Sequence, residues 1–129
     1  MNSEEKSEKL KRVLLNWQKS MSDFDEVNVR QAMHSSTKAD VAIRMCHPFG
    51  DLENSDNIYE KIYSPLNASL PDLERRDLIV IAGCTPEGDN WIGCMGNYMG
   101  TFLAPFLGIP ATGRLAHMRY HEFFRIDED

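Results

Sequence analysis

The sequence predicts an α+β domain in which about three N-terminal helices cover a curved antiparallel sheet. Two observations carry this. Apolar side chains recur every three or four residues as far as Leu70, the period of an amphipathic helix, and every second residue from Leu73 onward, the period of a half-buried strand. Glycines then recur inside the second long strand at Gly93, Gly96 and Gly100, where they weaken a flat strand but suit one that bends or bulges. A sheet curled around helices makes a cone with an internal pocket, and a length of 129 residues is enough for one such domain.

Each element follows from local pattern. Residues 3 to 20 place Leu10, Val13, Leu14 and Trp17 at i, i+3, i+4, i+7 among lysines and glutamates, predicting one amphipathic helix. A second helix is expected from Ser22 or Asp23 to about Met33, ended by Ser35, Ser36 and Thr37. From Asp40 to Cys46, Val41, Ile43 and Met45 alternate with Ala42, Arg44 and Cys46, a short strand closed by the loop His47, Pro48, Phe49, Gly50. Helical spacing returns through Ile58, Ile62, Leu66 and Leu70, with a kink expected at Pro65, which lacks a backbone donor and clashes with the preceding turn. Leu78, Val80 and Ala82 then alternate with Ile79 and Ile81, Thr85 to Asn90 turns, and Trp91 to Phe102 completes a hairpin. Leu103 to Thr112 crosses over under Pro and Gly punctuation, and Gly113 to Ile126 is a last alternating strand.

Composition narrows the function classes. Hydrophobic residues at 42% and charged residues at 26% are those of a soluble globular domain. The net charge of -6, with acidic residues gathered at both ends, argues against nucleic acid, which needs concentrated Lys and Arg. No apolar run approaches the roughly 20 residues that span a bilayer, and the first residues lack the apolar core of a secretory signal, so no membrane role and a cytoplasmic location are expected. Cys46, Cys84 and Cys94 form no CxxC or compact Cys/His ligand set, so neither a disulfide scaffold nor a metal is expected.

The run Phe106-Leu107-Gly108-Ile109-Pro110-Ala111-Thr112-Gly113-Arg114, followed by Phe124-Arg125-Ile126, resembles a segment and strand of the SnoaL-like polyketide cyclases, a family with the nuclear-transport-factor-two-like fold. Pro71-Asp72-Leu73 before the hairpin resembles another element of that family, so the likeness covers about residues 71 to 129. The resemblance implies a cone-shaped pocket in which a polar side chain performs acid/base chemistry on a polyketide, typically an aldol closure without metal or cofactor. It places the family's acidic or histidine position on Glu122. The sequence departs from the family in two respects. Thr101-Phe102-Leu103-Ala104 stands where many relatives carry a histidine, and after Asp127-Glu128-Asp129 the family normally adds another strand bearing a catalytic aspartate.

Period two puts Ala116, Met118, Tyr120, Glu122 and Phe124 on one face of the last strand and His117, Arg119, His121 and Phe123 on the other. Glu122 is the candidate general base, because a carboxylate in an apolar pocket is pushed toward neutrality; the alternative is a carboxylate paired with Arg44 or Arg119, or solvated. Tyr120, with Tyr98 and Asn97, is a candidate donor to an enolate oxygen, and His47 a second acid/base group near the pocket mouth. Trp91, Met95, Met99, Phe102, Met118 and Phe124 are expected to shape a pocket for a small apolar carbonyl ligand, with core packing as their alternative. His117 and His121 lie about 13 Å apart on a strand, too far to share a metal, and with Arg119 and Phe123 suggest a homodimer through a sheet face. Two functional readings stay open: a polyketide cyclase-like or isomerase-type enzyme, and a non-catalytic ligand-binding or interaction module of the same fold.

Overall fold

The computed structural model describes residues 2–127. Asn2 caps α1 (Ser3–Val13) in a reciprocal box, its side chain accepting from Glu5 N while the Glu5 carboxylate accepts from Asn2 N. The single helix expected over residues 3 to 20 is broken at Leu14, whose ψ of 0° leaves the helical region, and α2 spans Leu15–Ser22. Burial accounts for the break: α1 has no buried residue, whereas the new direction carries Leu14, Trp17 and Met21 into the core. Ser22 closes α2 by donating to Lys19 O, so α3 (Glu26–Ser36) begins later than expected, capped by Asp25 accepting from Asn28 N.

The strand expected over residues 40 to 46 shrinks to β1 (Ile43–Arg44), paired with β2 (Asp51–Leu52) across the His47 to Gly50 turn as a separate ribbon. Asn54 then caps α4 (Ser55–Ile58), which continues through a π-helical turn, Tyr59–Tyr63, into α5 (Ser64–Ser69). The turn meets the missing donor of Pro65 by widening the backbone just before it: Ser64 N donates to Tyr59 O, five residues back.

The larger sheet is antiparallel in the order β3 (Glu74–Cys84), β4 (Asn90–Thr101), β5 (Leu115–Ile126). Pairing sets its faces: Arg75 opposes Tyr98, Cys94 opposes Glu122 and Gly96 opposes Tyr120, all facing the helices. A bulge between Asp77 and Ile79 resets the alternation of β3, so Leu78 is exposed and the inner positions run Arg75, Asp77, Val80, Ala82. Trp17 (4% exposed) and Met21 (0%) fill the concave side with Ile62, Tyr63, Leu66 and Ile92, each large side chain contributing about 1.5–3 kcal/mol by leaving water. Trp17 meets Phe124 of β5 edge-on at 5.3 Å between ring centres. Asp72 fastens the entry of β3 to the exit of β4, accepting from Thr101 N at 2.7 Å and Thr101 Oγ1 at 2.8 Å.

Candidate functional site

A polar cluster sits on the inner face where β3, β4 and β5 lie side by side. At its centre is Arg75, 3% exposed. Its Nε and Nη2 donate to Asp77 Oδ1 at 3.2 and 3.0 Å, and Nη1 donates to Glu122 Oε1 at 3.0 Å and to Tyr98 Oη at 3.3 Å. Glu122 Oε2 accepts no aligned hydrogen bond but lies 2.8 Å from Arg75 Nη2, an ion-pair contact. Tyr120 donates to Asp77 Oδ1, and the Arg75 guanidinium stacks over the Tyr120 ring, 4.1 Å from its centre.

Gly96 makes this convergence possible. A Cβ there would stand 2.0 Å from Arg76 O and 2.6 Å from Tyr120 Oη, so only glycine lets the phenol cross β4 to reach Asp77 on β3. The bulge at Leu78 does the rest by turning Asp77 inward beside Arg75.

The electrostatics follow from burial. Loss of water works against the Arg75 charge, but Glu122 and the Tyr98 and Tyr63 hydroxyls more than offset it and hold the guanidinium above its ordinary value. Burial pushes Tyr98 well up, with Tyr63 and Glu122 adding to it; burial, then the bond to Asp77, does the same to Tyr120. Both phenols are therefore fixed as donors at neutral pH. Burial also raises the Cys94 thiol to about 11. The cluster combines one cation, two carboxylates and two protonated phenols. Asp77 and Glu122 are its reachable members, with side chains 18% and 20% exposed, against 1% for Arg75.

Of the residues expected from sequence, Glu122, Tyr120 and Tyr98 meet here, and Met118 and Phe124 share their face. Glu122 is paired, and its partner is Arg75; Arg119 instead donates to Asn97 Oδ1 and Met95 Sδ on the opposite face, and Arg44 is exposed on β1. Trp91, Met95, Asn97 and Met99 do not line the interior. They alternate with the inner residues Ile92, Cys94, Tyr98 and Gly100, so the pleat turns them outward. Phe102, half-buried, closes the crossover loop through backbone bonds, its N donating to Arg114 O and its carbonyl accepting from Gly113 N. His47 is exposed in the turn between β1 and β2, and no hydrogen bond or ion pair among the described residues joins it to the cluster. Sequence reasoning missed Arg75 and Asp77, which stand in the charged run Glu74 to Asp77 that looks like a solvated strand end.

Two open depressions of about 390 and 400 Å³ lie elsewhere, one between α2 and α3 around Asn28 and Gln31, the other around Phe24 and Asp72. Among the described residues, no group of three His, Cys, Asp or Glu side chains could hold a metal, and no helix is long and apolar enough to cross a membrane.

This arrangement, a curled antiparallel sheet with helices on its concave side, is the nuclear-transport-factor-two-like fold. Among solved structures, the chain has the fold of a protein from a Jannaschia species assigned to the SnoaL-like polyketide cyclases, with a TM-score of 0.71 at 17% identity over 95% of this chain and 79% of that one. AclR from Streptomyces galilaeus, assigned as a hydroxylase, gives 0.70 at 14% identity, covering 94% and 69%. A protein of Pseudomonas putida assigned as a polyketide cyclase gives 0.62 at 14% identity, covering 90% and 80%. No family model and no curated protein matches the sequence. The resemblance read from residues 71 to 129 thus holds for the fold across nearly the whole chain.

Proposed function

We propose that this chain is a SnoaL-like domain that binds a small apolar carbonyl compound on the inner face of its sheet and moves a proton on it by acid–base chemistry that needs no cofactor. One observation carries the reading: five titratable side chains, Arg75, Asp77, Tyr98, Tyr120 and Glu122, converge inside an otherwise apolar cone, where a simple binding pocket needs none of them. In the step proposed, the proton next to the carbonyl passes to Glu122. The negative charge moves to the carbonyl oxygen, which takes over an N–H of Arg75 or the O–H of Tyr98 as Glu122 gives it up. Three unpaired cysteines suit a reducing compartment such as the cytosol.

The second reading, a non-catalytic module of the same fold, is favoured by a specific observation. Arg75 already holds both carboxylates, and Trp17 and Tyr63 fill the concave side. The probe 1-tetralone, an aromatic ketone with slowly exchanging α-protons, separates the two. Its binding is read by tryptophan fluorescence and its deuterium uptake by NMR. The proposal expects binding with accelerated exchange, and a loss of about 100-fold or more in exchange for Glu122→Gln with binding kept. Binding without exchange establishes the second reading as a ligand-binding module, and no binding overturns the proposal while leaving the interaction module of the second reading in place.

A further inference from the structure

We propose that the depression between the α2–α3 link and the start of β3 is the ligand's way into the cone, that Phe24 gates it, and that its acidic rim admits uncharged ring ketones while turning away carboxylates. This route rests on the ligand reading above and adds a charge class to it.

Trp17 and Tyr63 pack the concave side, so a ligand reaches Glu122 only where a side chain can swing aside. Phe24 is placed for that. It hangs from the link Asp23 to Asp25, whose first and last residues are extended and not helical, with φ of -130° and -127°, and its ring is only partly buried. It is the outermost of a file of rings that ends in the polar cluster. Phe24 meets Tyr63 edge-on at 6.4 Å between centres, Tyr63 lies 6.3 Å from Tyr98, and the Tyr98 hydroxyl is bonded to Arg75 and Glu122. Phe24 also lines the depression of about 400 Å³, together with Ser22, Pro71 and Leu73. Leu73 is buried like Arg75 and stands two residues before it, so the floor lies about 7 Å along the chain from the centre of the cluster. The depression between α2 and α3 has no such link: among the described residues, no hydrogen bond or ring contact joins its lining to the cluster.

The rim sets the class of ligand. Asp23, Asp72 and Glu74 stand around the mouth; Arg76 pairs with Glu74 at 3.1 Å, and among the described residues Asp23 and Asp72 have no cation partner. Bonds from Thr101, its backbone N–H first, hold the Asp72 carboxyl below its usual range, so it stays charged. A carboxylate entering between two fixed negative charges is repelled, and the apolar floor of Phe24, Pro71 and Leu73 offers it nothing in exchange. A flat uncharged ring meets aromatic and aliphatic surface instead.

Stopped-flow tryptophan fluorescence with 1-tetralone and 3-carboxy-1-tetralone tests the route. The wild type is expected to bind the neutral ketone and to take up the carboxylate about tenfold more slowly in about 50 mM salt, a difference that about 0.5 M salt erases. Asp23→Lys removes it too. Phe24→Ala speeds association and dissociation of 1-tetralone about tenfold each and leaves Kd within about twofold, as loss of a gate does. Phe24→Leu keeps more of the packing and speeds both about threefold, and circular dichroism confirms that each variant folds. Ser22→Phe puts a ring across the mouth and slows association about tenfold, whereas Gln31→Phe in the other depression leaves it unchanged. Rates indifferent to Phe24→Ala and Ser22→Phe, or slowed as much by Gln31→Phe, overturn the entrance and leave the proposed function standing. Equal uptake of the two ketones at low salt overturns the charge selection, and a wild type that does not bind 1-tetralone overturns the route together with the proposed function.

Discussion

Replacing Arg75 by methionine tests whether the polar cluster acts as one electrostatic unit. Methionine keeps most of the side-chain length and removes the charge. Arg75 is 3% exposed and supplies the cationic contacts of Glu122 at 2.8 and 3.0 Å and of Asp77 at 3.0 and 3.2 Å. Deleting one partner of a buried pair costs about 3–5 kcal/mol, because the opposite charge is left without compensation. Here the orphaned carboxylates keep 18% and 20% side-chain exposure, so water reaches them and the low end, about 3 kcal/mol, applies. At a urea dependence of about 1.5 kcal/mol per molar, the unfolding midpoint falls by about 2 M.

The double variant Arg75→Met/Glu122→Leu carries the logic further. If the single loss arises from unpaired charge, removing one carboxylate as well restores stability, since apolar groups of similar volume replace buried ion pairs at little cost. The double variant should therefore unfold at a higher urea concentration than Arg75→Met alone. Additive losses in the cycle Arg75→Met, Glu122→Leu and the pair would refute the argument, showing that Arg75 contributes by packing and not by charge.

Two further outcomes follow from the same burial. Tyr59, Tyr63, Tyr98 and Tyr120 are all shifted upward, burial being the first cause for each, so the absorbance of phenolate at 295 nm should stay low at pH 10, where free tyrosine is half ionised. Because the folded chain holds these protons more tightly than the unfolded one, the stability they contribute is complete below pH 10 and is lost above it, and phenolate should appear together with alkaline unfolding. A gradual rise centred on pH 10 in the folded protein would contradict this. Cys46 and Cys84 are exposed, whereas Cys94 is buried with its thiol raised to about 11, so a chromogenic disulfide reagent at pH 8 should label the first two rapidly and Cys94 only on unfolding. Three equally fast thiols would show that β4 is open to solvent.

The architecture was legible because its signals are periodic and punctuated. The switch of apolar period near Leu70, the Thr85 to Asn90 turn and the alternation of β5 depend on local chemistry that survives without knowledge of the rest of the chain. The break at Leu14 was not legible. No proline or glycine marks it, and it exists because Trp17 and Met21 find their partners only after the helix changes direction. Pro65 was legible as a perturbation, though not in kind, since a single backbone donor given up can be met by a kink or by one wide turn.

The site divides along the same line. Glu122 and Tyr120 could be placed because β5 pairs with β4 without interruption, so counting by two reaches the right face. Arg75 and Asp77 could not, because the bulge at Leu78 shifts the count by one, and a parity begun at Leu78 is wrong for everything before it. Trp91, Met95, Asn97 and Met99 failed for a simpler reason: alternation forbids neighbours such as Asn97, Tyr98 and Met99 from sharing a pocket. One signal for the hidden pair was present. Of the three glycines in β4, Gly96 is the one whose missing Cβ is demanded by a backbone atom, Arg76 O, as well as by a phenol from the neighbouring strand. A strand glycine with such contacts marks a place where chains are drawn closer than side chains allow. Here it points directly at Asp77 and Arg75, the two members of the cluster that sequence reasoning missed.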